Sequence, residues 1–221
     1  MYPDSLRHNE HPACTFVVKQ NNIDVKMALT LVIIVAIFIV FQSFMSVSTS
    51  NIEKQPYRLI QKDKSFEIRY YAAATFATIK SNATSYRELS SSGFRRIAGY
   101  IFGGNESSTK IAMTSPVHMD ISAEGSSMSF VMPARYNTNN LPKPNDAAVE
   151  IHQSKPQYAA AIEFGGYVND ETLKRYTKQL EDKLKALNIK PIGHYRYLGY
   201  NPPYQLINRR NEVIVEIEWK E

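Results

Sequence analysis

The chain has 221 residues, 43% of them hydrophobic, enough for one domain with its own core plus an appendage. Its single cysteine, Cys14, excludes an internal disulfide framework and any multi-cysteine metal centre. The net charge is +5; the charges of residues 1–51 cancel, and the excess beyond them is dispersed with no Lys/Arg run of five, so nothing points to nucleic acid.

Residues 1–26 read as a polar tail. From Met27 to Met45 the chain runs MALTLVIIVAIFIVFQSFM, and no charge occurs between Lys26 and Glu53. Such a run is close to the length that crosses a hydrocarbon core, and it has no polar face that would lay it on a membrane surface. Ser46-Val47-Ser48 would suit a signal peptidase, but the leader is long and the apolar run exceeds a usual signal core. Residues 27–47 are therefore expected to form a retained, single-pass transmembrane signal anchor. Orientation signals conflict. Lys54, Arg58, Lys62 and Lys64 would hold the following domain in the cytoplasm, whereas Asn82-Ala83-Thr84 and Asn105-Glu106-Ser107 are glycosylation sequons. The sequons tip the expectation toward an extracytoplasmic domain. Residues 48–58 read as a linker, and 59–221 as the domain.

Tyr-Ala-Ala-Ala occurs twice, at Tyr71–Ala74 and Tyr158–Ala161. Each copy lies in a strand-like run followed by a polar loop and a helical pattern. The first helix is predicted over 85–101: Ser85 and Glu88 make a capping box, Tyr86, Leu89, Gly93, Ile97 and Tyr100 form one stripe, and Gly103-Gly104 ends it. The second is predicted over 170–187, capped by Asn169 or Asp170, with Leu173, Tyr176, Leu180, Leu184 and Leu187 at helical spacing. Strands follow each helix: Lys110–Ile121 and Met128–Met132 joined through Glu124-Gly125, then His194–Tyr200 and Glu212–Trp219 joined by a long loop. In the last strand Val213, Val215, Ile217 and Trp219 share one face, while Glu212, Glu216 and Glu218 share the other with Ile214. That alternation predicts an antiparallel sheet covered on one side. The expected fold is α+β: duplicated βαββ units form a curved antiparallel sheet, a distorted barrel, with two helices packed on it, and Ala147–His152 opens the second unit. A groove where the halves meet is a natural place for a small ligand.

Motifs for chemistry are sparse. No spaced G-x-G-x-x-G, Walker or Gly-x-Ser-x-Gly sequence occurs. The histidines are His8, His11, His118, His152 and His194, and no two beyond the tail fall at metal-ligand spacing, so no metal site and no catalytic set is assigned. KIAMTSPVHM (110–119) holds two methionines and a histidine, side chains able to ligate haem iron. As a strand, however, it puts Met113 and Met119 on one face with Ile111 and Val117, which is a core pattern. His118 falls on the polar face, where solvation is expected.

FEIRYY (66–71), KIAMTSPV (110–117), FVMPARY (130–136), LPKPND (141–146), FGGY (164–167), LGYNPP (198–203) and NRRNEVIVEI (208–217) occur in this order. From about Tyr57 to Trp219 the chain thereby resembles the SOUL haem-binding family. The resemblance implies a duplicated α+β fold and a tetrapyrrole ligand, haem or a relative, held in one of two ways. One uses a first-strand histidine as iron ligand; this chain has Tyr70 there, so that mode does not carry over. The other uses an apolar groove along the first helix with basic residues for the propionates. Here Phe94, Ile97 and Ile101 supply the wall. The family's basic positions fall on Ser91 and Gly99, with Arg95 and Arg96 as nearby substitutes, and Tyr204 and Leu206 close the other side. The expected function is a membrane-anchored, non-catalytic tetrapyrrole carrier or buffer. The alternative is a module for a different hydrophobic small molecule or a protein partner without haem. An enzyme using the same groove would need a carboxylate beside a Tyr or His, for which Glu163 and Tyr167 are the candidates.

Overall fold

The computed structural model describes residues 25–122 and 125–220. Cys14, most of the polar tail and Glu124 of the expected hairpin turn lie outside the described residues. The chain divides into two compact units, Met1–Val40 and Phe41–Glu221. Helix α1 spans Val25–Ser50, and every side chain from Val25 to Val40 is exposed. Its stretch Val25–Ser48 has the length and composition to cross a membrane, features that a signal sequence shares.

The second unit runs β1 Glu53–Lys54, β2 Arg58–Asp63, β3 Phe66–Tyr71, β4 Thr75–Ser81, α2 Tyr86–Ile101, β5 Thr114–Ser115, β6 Val117–Ser122, β7 Gly125–Val131, β8 Val149–Gln153, β9 Gln157–Phe164, α3 Asp170–Ala186, β10 Pro191–Gly199 and β11 Asn211–Ile217. Nine strands form one curved antiparallel sheet in the order β2-β3-β9-β11-β10-β6-β7-β4-β8, so the α+β class stands. The sheet is not closed: β2 and β8 are its two edges, and the barrel stays open.

The duplication is visible in the pairing. β10-β11-β9-β3 repeats β6-β7-β4-β8 in order, with α3 after β9 where α2 follows β4, and the halves join at β6 and β10. Each half takes its outer strand from the other part of the sequence. β3 precedes β4 but pairs with β9, and β8 precedes β9 but pairs with β4. The two Tyr-Ala-Ala-Ala copies are therefore not equivalent: Tyr71–Ala74 closes β3 and leads into β4, whereas Tyr158–Ala161 lies inside β9. Within β9 the alanines are enclosed from both sides; Ala72 and Ala73 are exposed.

Both helices start on side-chain caps, which satisfy backbone donors the helix itself leaves unpaired. Ser85 accepts from Glu88 N–H and Asn169 from Thr172 N–H. Tyr86 N–H at the start of α2 donates to Asp170 Oδ1 at the start of α3, 2.8 Å away. α2 buries Leu89, Gly93, Ile97, Tyr100 and Ile101. A Cβ at Gly93 would come within 3.2 Å of Ile79 Cδ1 and 3.3 Å of Met128, so glycine lets the helix seat this closely on the sheet. α3 buries Leu180 and Leu184 completely. Leu180→Ala is expected to cost about 3 kcal/mol, through lost transfer energy and the cavity left behind. Denaturant unfolding checks this; a loss below about 0.5 kcal/mol would mean the site is not core.

The sheet's other face was expected to be solvated, and here the structure corrects the sequence. Glu212 and Arg69 on that face are fully buried, among Tyr71, Ala159, Ala161, Leu198 and Ile214, with Tyr57 and Tyr200 packed over them. His118 is also buried, 6% exposed, contrary to expectation. The cause is residues 53–57, read from sequence as linker. Glu53 and Lys54 pair with Thr114 and Ser115, Gln55 N–H donates to Ser115 O, and the Gln55 side chain lies 2.9 Å from His118 Nε2.

Candidate functional site

Because α2 and α3 pack on the same face of the sheet, a cleft is left where the halves meet. Its volume is about 470 Å³, within the range of small-molecule sites. Met119 and Ile121 from β6, Tyr195 and Tyr197 from β10, Val213 from β11 and Leu173 from α3 line it, with Thr84, Asp170, Lys174 and Thr177 among its polar residues. These strands meet because β6 pairs with β10, setting Tyr197 opposite Met119. Tyr197 is fixed from two sides: its hydroxyl donates to Asn211 Oδ1 at 2.7 Å, and the Tyr86 ring meets it edge-on at 5.4 Å. Burial, with Tyr86 beside it, raises the Tyr197 phenol far above the ordinary range, so it remains a neutral hydrogen-bonding wall.

The site residues expected from sequence fall elsewhere. Ile97 and Ile101 point into the core with 0% and 1% exposure, and a loop covers the end of α2. Tyr100 OH donates to Pro142 O at 2.9 Å, and Arg96 makes a two-pronged ion pair with Asp146 at 2.9 and 3.1 Å. Phe94 is half-buried against Phe130, and Arg95 is exposed. Tyr204 and Leu206 are exposed on the loop between β10 and β11. None of these seven residues lines the cleft. Arg96 instead borders a second, polar basin of about 710 Å³ with Lys80, Asn82, Ser126 and His194. Glu163 pairs with Arg210 at 3.1 Å, and the Arg209 guanidinium lies over Tyr167; neither Glu163 nor Tyr167 lines the cleft. Among the described residues no group of three or more His, Cys, Asp or Glu could hold a metal ion.

Sequence reading missed the ionic network on the opposite face. Arg69 Nη1 and Nη2 donate to the two Glu212 oxygens at 2.6 and 3.0 Å, and its Nε donates to Glu67 at 2.7 Å. The Tyr57 ring lies 4.2 Å from the guanidinium carbon, a cation–π contact. Arg210 and Tyr200 OH also donate to Glu212. Burial pushes the Tyr71 phenol up to about 12, and the adjacent Arg69 offsets only part of that. The strictly alternating Glu-x-Arg-x-Tyr of β3 was the available signal, and alternation by itself does not reveal whether a polar face meets water or another polar face.

Asn105, read as one of two sequons, is 1% exposed, and its Nδ2 donates to the carbonyls of Tyr100 and Thr109. It braces a turn and is closed to a glycosyltransferase in the folded domain. Asn82 is exposed.

A family model described as SOUL heme-binding protein matches residues 52–216. Among curated relatives, heme-binding protein 1 of Sus scrofa is 25% identical over 174 residues, covering 74% of this chain and 92% of that one. Heme-binding protein 2 of Mus musculus is 27% identical over 171 residues, covering 72% and 82%. Among solved structures, the EcmrR C-terminal domain aligns with a TM-score of 0.49 at 10% identity, over 74% of this chain and 99% of that one, too loose a likeness to bear on function.

Proposed function

The chain belongs to the SOUL heme-binding protein family, and from that premise we propose that it is a membrane-anchored, non-catalytic module that takes haem or another tetrapyrrole into the cleft between α3 and the sheet. The observation that carries this reading is the apolar lining of that cleft by Met119, Ile121, Leu173, Tyr195 and Val213. A flat macrocycle with two carboxylates needs an apolar wall and a cation at the rim. Leu173 and Tyr195 offer the wall, and exposed Lys174 offers the cation. Arg196 is not counted as a second cation, because its guanidinium reaches Gln157 at 3.3 Å. When bound, haem would supply its own iron chemistry; the residues here bind and orient the ring by contact. His118 faces away from Met119 on β6, against Gln55, so it is not assigned to the iron. α1 supports the anchoring by its length and composition, and exposed Asn82 supports a domain outside the cytoplasm.

Titration of the full chain in detergent with haemin tests the proposal. The expected result is a Soret shift that saturates at one equivalent, with metal-free protoporphyrin binding within about tenfold, or about 1.4 kcal/mol. Leu173→Asp is expected to abolish binding with the circular dichroism unchanged, since it sets a charge in the wall. Saturable binding that survives Leu173→Asp would remove the cleft from the proposal. Featureless adsorption of haemin would remove the tetrapyrrole and favour a different hydrophobic ligand.

A further inference from the structure

We infer that the loop between β10 and β11 is a second membrane contact of this chain, with the tip residues Tyr204, Leu206 and Ile207 entering the headgroup–acyl boundary of the bilayer that α1 crosses. The inference rests on the reading of α1 as a retained anchor and adds to it a surface of the domain.

Three observations carry it. First, Tyr204, Leu206 and Ile207 are 54%, 43% and 48% exposed, an apolar cluster at the tip of the loop. Second, much of the loop is held by hydrogen bonds from within. Gln205 is 1% exposed and donates to the Ile207 and Asn208 carbonyls. Asn201 Nδ2 donates to Gln205 Oε1, and Arg209 Nη1 donates to the carbonyls of Pro202 and Gln205 at 2.7 Å each. Bonds of this kind lower the cost of bringing the loop's apolar side chains to the membrane interface, where headgroups and water meet the remaining polar groups.

The third observation is Gln42, which belongs to the same compact unit as the loop. Gln42 lies within the apolar stretch Val25–Ser48 yet is only 3% exposed. Its Nε2 donates to Tyr204 O at 3.3 Å, and its Oε1 accepts from Leu206 N–H at 2.9 Å. The 24 residues of that stretch make about 36 Å of helix, roughly 6 Å more than a hydrocarbon core. Six residues separate Gln42 from Ser48, about 9 Å, so a centred span puts Gln42 roughly 6 Å inside the boundary. A carboxamide at that depth finds no partner in lipid and has to be paired by protein. The backbone that pairs it is that of the 204–206 loop, which brings the loop's tip to the membrane boundary. Side chains there must tolerate an interface; tyrosine and branched aliphatics do.

Depth-dependent quenching tests this in the full chain. With Cys14→Ser as background, a single cysteine is introduced as Leu206→Cys, Ile207→Cys, Ile33→Cys or Asn139→Cys, labelled with the fluorophore NBD, and the protein is reconstituted in phosphatidylcholine vesicles. Doxyl-labelled phosphatidylcholine is expected to quench Leu206→Cys, Ile207→Cys and Ile33→Cys by about twofold or more, and to leave Asn139→Cys, on an exposed turn, unquenched. Quenching at Ile33→Cys with none at Leu206→Cys and Ile207→Cys would overturn the loop contact while leaving the anchor intact. Absence of quenching at Ile33→Cys as well would overturn the anchor and the loop contact together. Equal quenching at Asn139→Cys would overturn a contact confined to this loop.

Discussion

Glu212→Ala is expected to destabilise the domain by about 3–5 kcal/mol, because it leaves a buried cation short of its partner. Glu212 is 0% exposed. Its two oxygens accept from Arg69 twice, from Arg210 twice and from Tyr200. Arg69 cannot escape by shedding its proton: burial lowers its basicity, but the hydrogen bonds to Glu212 more than offset this and hold it above the ordinary arginine range. Without Glu212 the guanidinium keeps the hydrogen bonds to Glu67 and Tyr71 and the Tyr57 ring over it. Glu212→Gln, which removes the charge and keeps an acceptor, should cost less than Glu212→Ala. The double change Arg69→Met with Glu212→Leu should recover much of the loss, since apolar replacement of a whole buried pair is often neutral or better. Denaturant unfolding of the four proteins checks this. A loss below about 1 kcal/mol in Glu212→Ala would mean the network is solvated and contributes as a surface pair does.

His118 should make the fold sensitive to mild acid. Burial, with Arg196 nearby, pushes its pKa down to about 3 from 6.5, so it is neutral in the folded chain at pH 7, held at Nε2 by Gln55 and against the edge of the Phe76 ring. The unfolded chain binds a proton at His118 below about pH 6.5 and the folded chain does not, so stability from this group is present above that pH and lost as pH falls. The slope approaches about 1.4 kcal/mol per pH unit between roughly pH 6 and 3. Measured from pH 7.5 to 5, the wild type should lose about 2 kcal/mol more than His118→Gln, which keeps a neutral polar group. Parallel pH profiles for the two proteins would mean that His118 takes up its proton in the folded state.

The two helices were legible because their signals are local. Ser85 and Asn169 cap within four residues of themselves, and the stripes through Leu89, Ile97, Leu180 and Leu184 repeat at the helical period. The alternation of β11 was read correctly for Val213, Val215 and Ile217 for the same reason. The candidate site was less legible. Helical periodicity marks Ile97 and Ile101 as covered without saying whether a ligand, a loop or the sheet covers them. The core covers them, and most of the lining of the cleft comes from β6, β10, β11 and α3, with Met119 and Val213 alone 94 positions apart.

Residue order alone places the apolar helix, the α+β class, the family and each of the domain's helices, because these depend on short windows or on ordered motifs. The exchange of β3 and β8 between the halves, the burial of His118, the enclosure of Asn105 and the ionic network of Arg69 and Glu212 came from the fold in three dimensions. Each of these depends on which distant strand or segment lies over a given face. A period of two states that the faces differ; it carries no information about what arrives to cover them. Here residues 53–55 pair with β5 and reach His118, and Tyr57 and Tyr200 pack over Arg69 and Glu212, so side chains with the spacing of a solvated surface are held in the interior by one another.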